Sequence, residues 1–468
     1  MEKYDIAILG AGPGGYVAAI RAAQLGVKVC VVEREEVGGT CLNWGCIPTK
    51  ALVASVRSLE KATSGKEYGF EIEGAMRIHF DRMMTRKNEV VKRQVKGITS
   101  LFSSYGIRLH YGAGRLHDKN TIEITDSEGG KKQIYGDKII LATGSRPSDI
   151  PGVPVDGQSI LSSNEALALK DIPASMLIIG AGAIGCEFAS IFHALGSDVT
   201  LVELLPRVVP MEDEEISGIL ERELKKRKIK FYANSSVESV ERENGTSIKA
   251  HLSNDRIISA EKVLVSVGRA FNVEDIGLEA VGIEQGARGE ISVNNRMETN
   301  IKGVYAIGDV IGGMMLAHVA SREGIVAVEN ALGGDETVDY SAVPSCIFFN
   351  PEIASVGYKE KEVVEEGKNI RVGRFPMRSL GMAHALGEIS GLIKVICDSE
   401  TDRILGVHMI GPHVTEIIHE AVLAIQSGYT GTDWGKMIHA HPTMSEALQE
   451  AVHDLHGAAI HLPQKQQR

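Results

Sequence analysis

Cysteine is scarce in this chain, at six in 468 residues, tryptophan occurs twice, and aromatic residues make up 5%. So few cysteines exclude the disulfide framework of a secreted scaffold. Cys30, Cys186, Cys346 and Cys397 sit alone among apolar neighbours and read as small core residues. No apolar run approaches the roughly 18 residues needed to span a bilayer. Positive charge is also short: 50 Lys and Arg stand against 61 Asp and Glu, a net charge of −11. That balance argues against nucleic acid or an anionic membrane as the main partner. The one basic run, Lys225-Lys226-Arg227-Lys228, follows Glu221 and Glu223 and reads as the solvated face of a helix. The strand-like run from Tyr4 to Leu9 leaves no room for a signal or transit peptide, so a cytoplasmic protein is expected.

What remains is the composition of a large soluble globular protein, 43% hydrophobic and 24% charged, with 51 glycines. Its length calls for three or four domains. Glycine-punctuated α/β signals recur along it. The strand Ile6-Ala7-Ile8-Leu9 runs into Gly10-Ala11-Gly12-Pro13-Gly14-Gly15, then a helix pattern, then a strand ending at Glu33. The unit returns 170 residues later: Met176 to Ile179 leads into Gly180-Ala181-Gly182-Ala183-Ile184-Gly185, a helix pattern, and a strand ending at Glu203. In both copies the acid lies 23 positions after the first glycine.

A lone Gly-x-Gly-x-x-Gly is weak evidence, but strand, glycine turn, helix and acid together make a dinucleotide fingerprint. The glycines permit the tight turn and let the backbone approach a pyrophosphate at the helix N-terminus, while the carboxylate accepts from ribose hydroxyls. Two dinucleotides are expected. Glu203 would repel a 2′-phosphate, favouring NAD over NADP, although Arg207 nearby could accept one. Residues 52 to 110 read as long charged helices, and Pro147, Pro151 and Pro154 mark a linker. After residue 341 strands and helices alternate without a fingerprint, which suggests an α+β domain. Residues 462 to 468 read as a polar tail.

Cys41 and Cys46 follow the first fingerprint within Gly38-Gly39-Thr40-Cys41-Leu42-Asn43-Trp44-Gly45-Cys46-Ile47-Pro48-Thr49-Lys50. Zinc would need further ligands, and no second Cys/His pair at ligand spacing is evident, so no metal is expected. Two buried structural thiols fit poorly with three glycines and a proline around them. A redox disulfide is the strongest reading. The first fingerprint then holds the cofactor that exchanges electrons with sulfur; a flavin fits, since it also accepts hydride from a nicotinamide. Thiol oxidation further needs a base near neutral pH. His441 precedes Pro442, with Glu446 five residues on as an orienting carboxylate. Thr443-x-x-Glu446 is equally a capping box, and the two roles are compatible. His439 reads as structural.

The segment Gly39 to Lys50 resembles the active-site segment of the flavin-dependent pyridine nucleotide–disulfide oxidoreductases, and among them the members that oxidise dihydrolipoyl groups. The resemblance continues in order through Ala142-Thr143-Gly144-Ser145, Val267-Gly268-Arg269, Thr299-Asn300, Val304 to Asp309, and His439 to Glu446. It implies an α/β fold with two Rossmann-like domains, for FAD and NAD, and a C-terminal α+β dimerisation domain. The implied boundaries are 1–148 for the FAD domain with its disulfide, 149–272 for NAD, 273–341 for a central domain completing the FAD site, and 342–468 for the interface.

By the same resemblance Cys46 faces the flavin and Cys41 exchanges with substrate, with His441 and Glu446 as the acid–base pair, reaching the disulfide of a second copy in a homodimer. Gly10, Gly12, Gly14, Gly15, Glu33, Gly39, Thr40, Lys50, Gly114, Thr143, Gly144, Ser145, Asp309 and Met315-Leu316-Ala317-His318 would contact FAD. Lys50 would pair with Glu187. Gly180, Gly182, Ala183, Ile184, Gly185, Glu187, Glu203, Val237 and Gly268 would contact NAD. The implied substrate is a dihydrolipoyl group on the lipoyl domain of a 2-oxo acid dehydrogenase or glycine-cleavage complex. Alternatives are another disulfide reductase on this scaffold, although no cysteine follows Cys397, or a flavoprotein with a mainly structural role.

Overall fold

The computed structural model describes residues 1–74, 76–243 and 247–463, apart from the side chain of 243. Most of the expected polar tail, 464–468, lies outside the described residues. Two compact units emerge: Met1–Leu52 with Phe80–Ser148 and Gly268–Val338, and Val53–His79 with Asp149–Val267 and Asp339–Arg468. Among the described residues no helix is long and apolar enough to cross a membrane.

The first unit is built on a sheet ordered Arg108–Tyr111, Val29–Glu33, Glu2–Leu9, Lys131–Leu141, Thr121–Thr125, Ala113–Asp118, with Val304–Ala306 beside Lys131–Leu141. The first four strands and Val304–Ala306 run parallel. Ile6, Ala7 and Ile8 are fully buried in succession, because helices or loops cover both faces of a parallel sheet. One cover is the helix Pro13–Gln24, which packs closely on Ala317–Ala331: a Cβ on Gly324 would lie 2.6 Å from the Gly14 carbonyl oxygen. The chain leaves the sheet at Gly10 and Ala142, the carboxyl ends of adjacent strands, where α/β sheets bind ligands.

The second unit repeats the plan. Its parallel sheet is ordered Lys230–Tyr232, Asp198–Val202, Ser175–Ile179, Lys262–Val265, Ile160–Leu161. A three-stranded antiparallel sheet, Val237–Glu243, Ser247–Leu252 and Ile257–Ala260, adjoins it. The last part of the chain forms an antiparallel sheet ordered Ser345–Ile347, Glu352–Gly357, Ile404–Gly411, Leu392–Asp398, Ile370–Pro376. Phe375, Ile393, Met409 and Trp434 fill its core together with the helices Val414–Gln426 and Glu446–Asp454. Each such side chain stabilises the fold by about 1.5–3 kcal/mol. The architecture is α/β with a C-terminal α+β domain.

Cys30, Cys186 and Cys397 are fully buried, and burial pushes their thiols up, Cys397 to about 11. Cys346 is half-buried against the C-terminal core. The basic run closes the helix Glu214–Lys226. Its lysines are exposed, whereas Arg227 pairs with Glu60 at 2.8 Å and lies over the Phe349 ring.

Candidate functional site

The first glycine turn is shaped by contacts only glycine allows. Gly10 has φ +106°, and a Cβ there would sit 2.2 Å from the Ala142 carbonyl oxygen; one on Gly15 would sit 1.9 Å from the Gly10 oxygen. Gly12 is different: a Cβ would meet nothing within 4 Å, and no side chain caps the helix it begins. The protein's own packing does not require glycine at position 12, and the bare backbone there fits the close approach of a ligand to a helix N-terminus. Glu33 closes the turn, its Oε2 accepting from Ala11 N at 2.7 Å and its Oε1 from Glu35 N at 2.8 Å. Burial raises the Glu33 carboxyl above its usual range, with those N–H groups opposing.

The second turn repeats these relations. Gly180 has φ +97°, and its Cβ would lie 2.4 Å from the Ser266 oxygen; that of Gly185 would lie 2.0 Å from the Gly180 oxygen, and that of Gly182 would meet nothing. Glu203 accepts from Ala181 N at 2.7 Å and Leu205 N at 2.9 Å. Ala183 and Ile184 open its helix. Ile184 stands where the first turn has Gly14, whose Cβ would lie 3.1 Å from the Ala320 oxygen. Arg207 pairs with Glu214 at 2.6 Å. Both cradles fit a dinucleotide.

The dithiol segment is pinned to the first turn. Gly38, at φ +94°, donates its N–H to the Ala11 oxygen at 2.8 Å, and a Cβ on Gly39 would lie 2.8 Å from the Gly12 Cα. Cys41 sits in the short helix Gly39–Asn43 and Cys46 begins the helix Cys46–Thr63. Gly45 lets the two approach, since its Cβ would be 3.0 Å from the Thr40 oxygen. Cys41 shares a hydrogen bond with Cys46. That contact pushes the Cys41 thiol well above its usual range, burial adds to it, and Lys50, one turn beyond Cys46, opposes it. Two adjacent thiols cannot both ionise easily.

Ser145 ties the remaining parts of this unit together. Its hydroxyl donates to Asp309 Oδ2 and accepts from Arg269 Nε at 2.5 Å, while its carbonyl accepts from Arg269 Nη2 at 2.7 Å and Thr40 Oγ1 at 3.4 Å. Thr143 donates to the Asn272 carbonyl at 2.8 Å, and Gly144, at φ +70°, accepts from Asn272 N. In the sequence Arg269 stands out only as part of Val267-Gly268-Arg269. Its guanidinium is largely buried, 3.5 Å from Asp309, and within electrostatic reach of Cys46. Met315, Leu316 and Ala317 are half-buried where the helix Ala317–Ala331 begins, and His318 is exposed.

Other expected residues stand elsewhere. Gly114 serves packing, since a Cβ would meet Leu9 at 2.4 Å and Val32 at 2.9 Å. Gly268 belongs to the first unit, its carbonyl accepting from Ser148 N at 3.1 Å. Val237 is buried at the start of its strand, and Glu187 is buried in the helix Ala183–Ala194, accepting from Phe348 N at 3.0 Å.

In the second unit His441 is 79% exposed, its Nδ1 bound to Glu446 Oε1 at 2.8 Å. Glu446 Oε2 accepts from Thr443 N at 2.8 Å, but the Thr443 hydroxyl donates to the Ala440 carbonyl, and Ser445 begins the helix. Half of a capping box therefore coexists with the orienting role. Burial works to raise the Glu446 carboxyl, yet the Thr443 N–H and His441 hold it below the usual range. His439 is buried, bound to Glu420 at 2.8 Å, and that contact raises its pKa. An exposed imidazole on a fixed carboxylate can take and return a proton; the enclosed one braces the loop.

Comparison with known proteins agrees with this chemistry. The family described as "Pyridine nucleotide-disulphide oxidoreductase" matches residues 4–324, and its dimerisation domain matches residues 343–452. "Dihydrolipoyl dehydrogenase" of Bacillus subtilis is 44% identical over 98% of this chain and 99% of its own length. The human "Dihydrolipoyl dehydrogenase, mitochondrial" is 41% identical over 96% of this chain and 89% of its own. The crystal structure of LpdA from Mycobacterium tuberculosis superimposes with a TM-score of 0.91 at 27% identity, covering 97% of this chain and all of that one. The HOCl-induced flavoprotein disulfide reductase RclA of Escherichia coli gives 0.85 at 27% identity over 96% and 99%. FAD and NAD are the cofactors of this kind of enzyme. With two nucleotide cradles, a dithiol pinned to the first and a dimerisation domain at its C-terminal end, the chain belongs to the pyridine nucleotide–disulfide oxidoreductases.

Proposed function

We propose that this enzyme oxidises dihydrolipoyl groups to lipoyl groups with NAD⁺ as the final acceptor, giving NADH and a proton. The observation that carries the reading is the hydrogen-bonded Cys41–Cys46 pair held against the first glycine turn by Gly38 and Gly39. The strong likeness to dihydrolipoyl dehydrogenases over nearly the whole chain supports the substrate class.

FAD, when bound, supplies a two-electron carrier between sulfur and nicotinamide. The first turn, Glu33, Thr40, Lys50, Thr143 to Ser145, Asp309 and Met315 to His318 hold it, with Gly114 behind the turn. The second turn and Glu203 would hold NAD, and the family resemblance adds Glu187, Val237 and Gly268. Arg207, paired with Glu214, leaves Glu203 to exclude a 2′-phosphate.

In its oxidised form the pair is a disulfide. A substrate thiolate attacks the Cys41 sulfur, the Cys41–Cys46 bond breaks, and Cys46 leaves as thiolate. The second substrate thiol then displaces Cys41, closing the lipoyl disulfide. His441 accepts the thiol proton at its Nε2, while Glu446 holds Nδ1 and fixes the tautomer. Since the dimerisation match includes His441, we assign that histidine to the dithiol of a second copy in a homodimer. The same reading gives four functional segments, 1–148, 149–272, 273–341 and 342–468, a lipoyl domain as the partner, and a cytoplasmic setting.

The test is NADH formation from NAD⁺ and dihydrolipoamide, with NADP⁺ and reduced glutathione in parallel. Rapid NADH formation with only the first pair is expected. A flavin reduced by NADH without turnover of dihydrolipoamide would move the substrate to another disulfide.

A further inference from the structure

Lys394 is the least expected side chain in the molecule. It sits in the apolar strand Leu392–Asp398, and its side chain is only 3% exposed. Its Nζ lies 2.9 and 2.8 Å from the two Asp213 oxygens, 2.7 Å from Glu360 Oε2 and 3.5 Å from Glu215 Oε2. Arg374 closes the group, 2.8 Å from Glu215 and 3.1 Å from Glu360. Asp213 is as buried as Lys394, and its Oδ1 also caps the helix Glu214–Lys226 through Glu215 N at 3.0 Å.

That helix begins where the loop from Glu203 ends, and the loop is held under strain. Val209 is buried with φ +41°, a left-handed conformation that a β-branched residue adopts only when its surroundings impose it. Its N–H donates to the Ala181 carbonyl at 2.8 Å. The N–H of the same alanine donates to Glu203 Oε2. Val208 is fixed from the helix side by the Ser217 hydroxyl, which donates to its carbonyl at 2.5 Å. One continuous path therefore runs from Lys394 through Asp213 and Val209 to the glycine turn and its carboxylate.

We propose that Lys394 and Asp213 are positioning residues for the second nucleotide site: their buried pair anchors the strained 204–213 loop, which holds the Ala181 peptide and Glu203 in the geometry that binds the nicotinamide nucleotide. The proposal rests on the reading of that turn as the NAD site. Buried ion pairs gain little stability over well-packed apolar residues, so this one is better explained by the placement it enforces.

The experiment titrates NAD⁺ into the purified holoenzyme by calorimetry, for the wild type, Glu203→Gln, Lys394→Gln and Asp213→Asn. Flavin content and the rate of flavin reduction by dihydrolipoamide are measured beside it. Lys394→Gln is expected to weaken NAD⁺ about tenfold at unchanged flavin content and unchanged dithiol half-reaction. If it does not fold, Asp213→Asn, which keeps an oxygen for Glu215 N, should show the same loss in lesser degree. Wild-type NAD⁺ affinity in the folded variants, with or without a lower melting temperature, overturns the proposal and leaves the pair a structural tie. Wild-type affinity in Glu203→Gln, or no NAD⁺ binding by the wild type, overturns instead the reading of the site itself.

Discussion

The turn at Gly10 and the turn at Gly180 share their cradle and differ in what is fastened to it. In both, the alanine between the first two glycines gives its N–H to the strand-end glutamate at 2.7 Å, and its carbonyl accepts at 2.8 Å from a residue in the following loop. That donor is Gly38 in the first copy and Val209 in the second, and both have positive φ. Gly38 adopts the conformation without penalty and leads directly into the dithiol helices. Val209 must be held there, and its loop leads to a helix capped by Asp213 and anchored by Lys394. The same backbone device thus delivers reactive sulfur in one place and mechanical fixation in the other. A duplicated nucleotide cradle is neutral scaffolding, and the loop after its carboxylate decides what it serves.

Removing the chemistry from one copy breaks the comparison most severely. Cys46→Ser leaves both cradles intact but takes away the leaving sulfur, so turnover with dihydrolipoamide should fall on the order of a thousandfold or more. NAD⁺ affinity in the same calorimetric titration should not change. A next test strikes the feature the two turns share. Gly15→Ala and Gly185→Ala each force a Cβ within 1.9 or 2.0 Å of a backbone carbonyl. Each should weaken its own nucleotide about a hundredfold, the upper end of overpacking costs. Flavin content after gel filtration should drop only for Gly15→Ala, and NAD⁺ binding with flavin retained should drop only for Gly185→Ala. Loss of both in either variant would show that the copies are not independent.

The carboxylates offer a milder version. Glu203→Gln keeps an oxygen that accepts from Ala181 but loses the charge, and NAD⁺ should bind about tenfold more weakly. NADP⁺ should gain relative to NAD⁺, which steady-state KM ratios would register. Glu33→Gln should weaken flavin retention and leave the NADP⁺ to NAD⁺ ratio alone.

How much of this could be read beforehand follows from distance along the chain. The glycine turns and their acids lie within 23 residues, and steric rules for turns and helix starts write them directly into the residues. The Cys41–Cys46 and His441–Glu446 pairings are legible for the same reason, since each pair is local, although only the family resemblance favours an acid–base role for the second over a capping box. Ser145 meets Arg269 and Asp309 only across separations of 124 and 164 residues, and nothing in a linear pattern says that Arg269 grips the Ser145 main chain. The Lys394–Asp213 pair spans 181 residues. A faint signal existed, since a lysine inside Leu392-Ile393-Lys394-Val395-Ile396 breaks an otherwise apolar strand. Val209 offered none, because a valine announces extended backbone, and only the anchoring on either side of it imposes the left-handed turn.

That last contrast yields the subtlest prediction. Gly38→Ala must adopt a left-handed conformation, costing about 1–2 kcal/mol, and brings a Cβ 2.6 Å from Leu42, so it should destabilise clearly. Val209→Gly removes a similar strain, which alone would stabilise by about 1–2 kcal/mol. It also gives up a buried valine, worth about 1.5–3 kcal/mol. Added backbone freedom in the unfolded chain costs a further 0.5–1 kcal/mol or so. The balance is a loss of about 1.5 kcal/mol, read as a small fall in the denaturant midpoint. A stabilised Val209→Gly would mean that strain outweighs packing in this loop and that the anchor works against a considerable load. A loss above that of Gly38→Ala would mean that the valine side chain, rather than its backbone, holds the second turn in place.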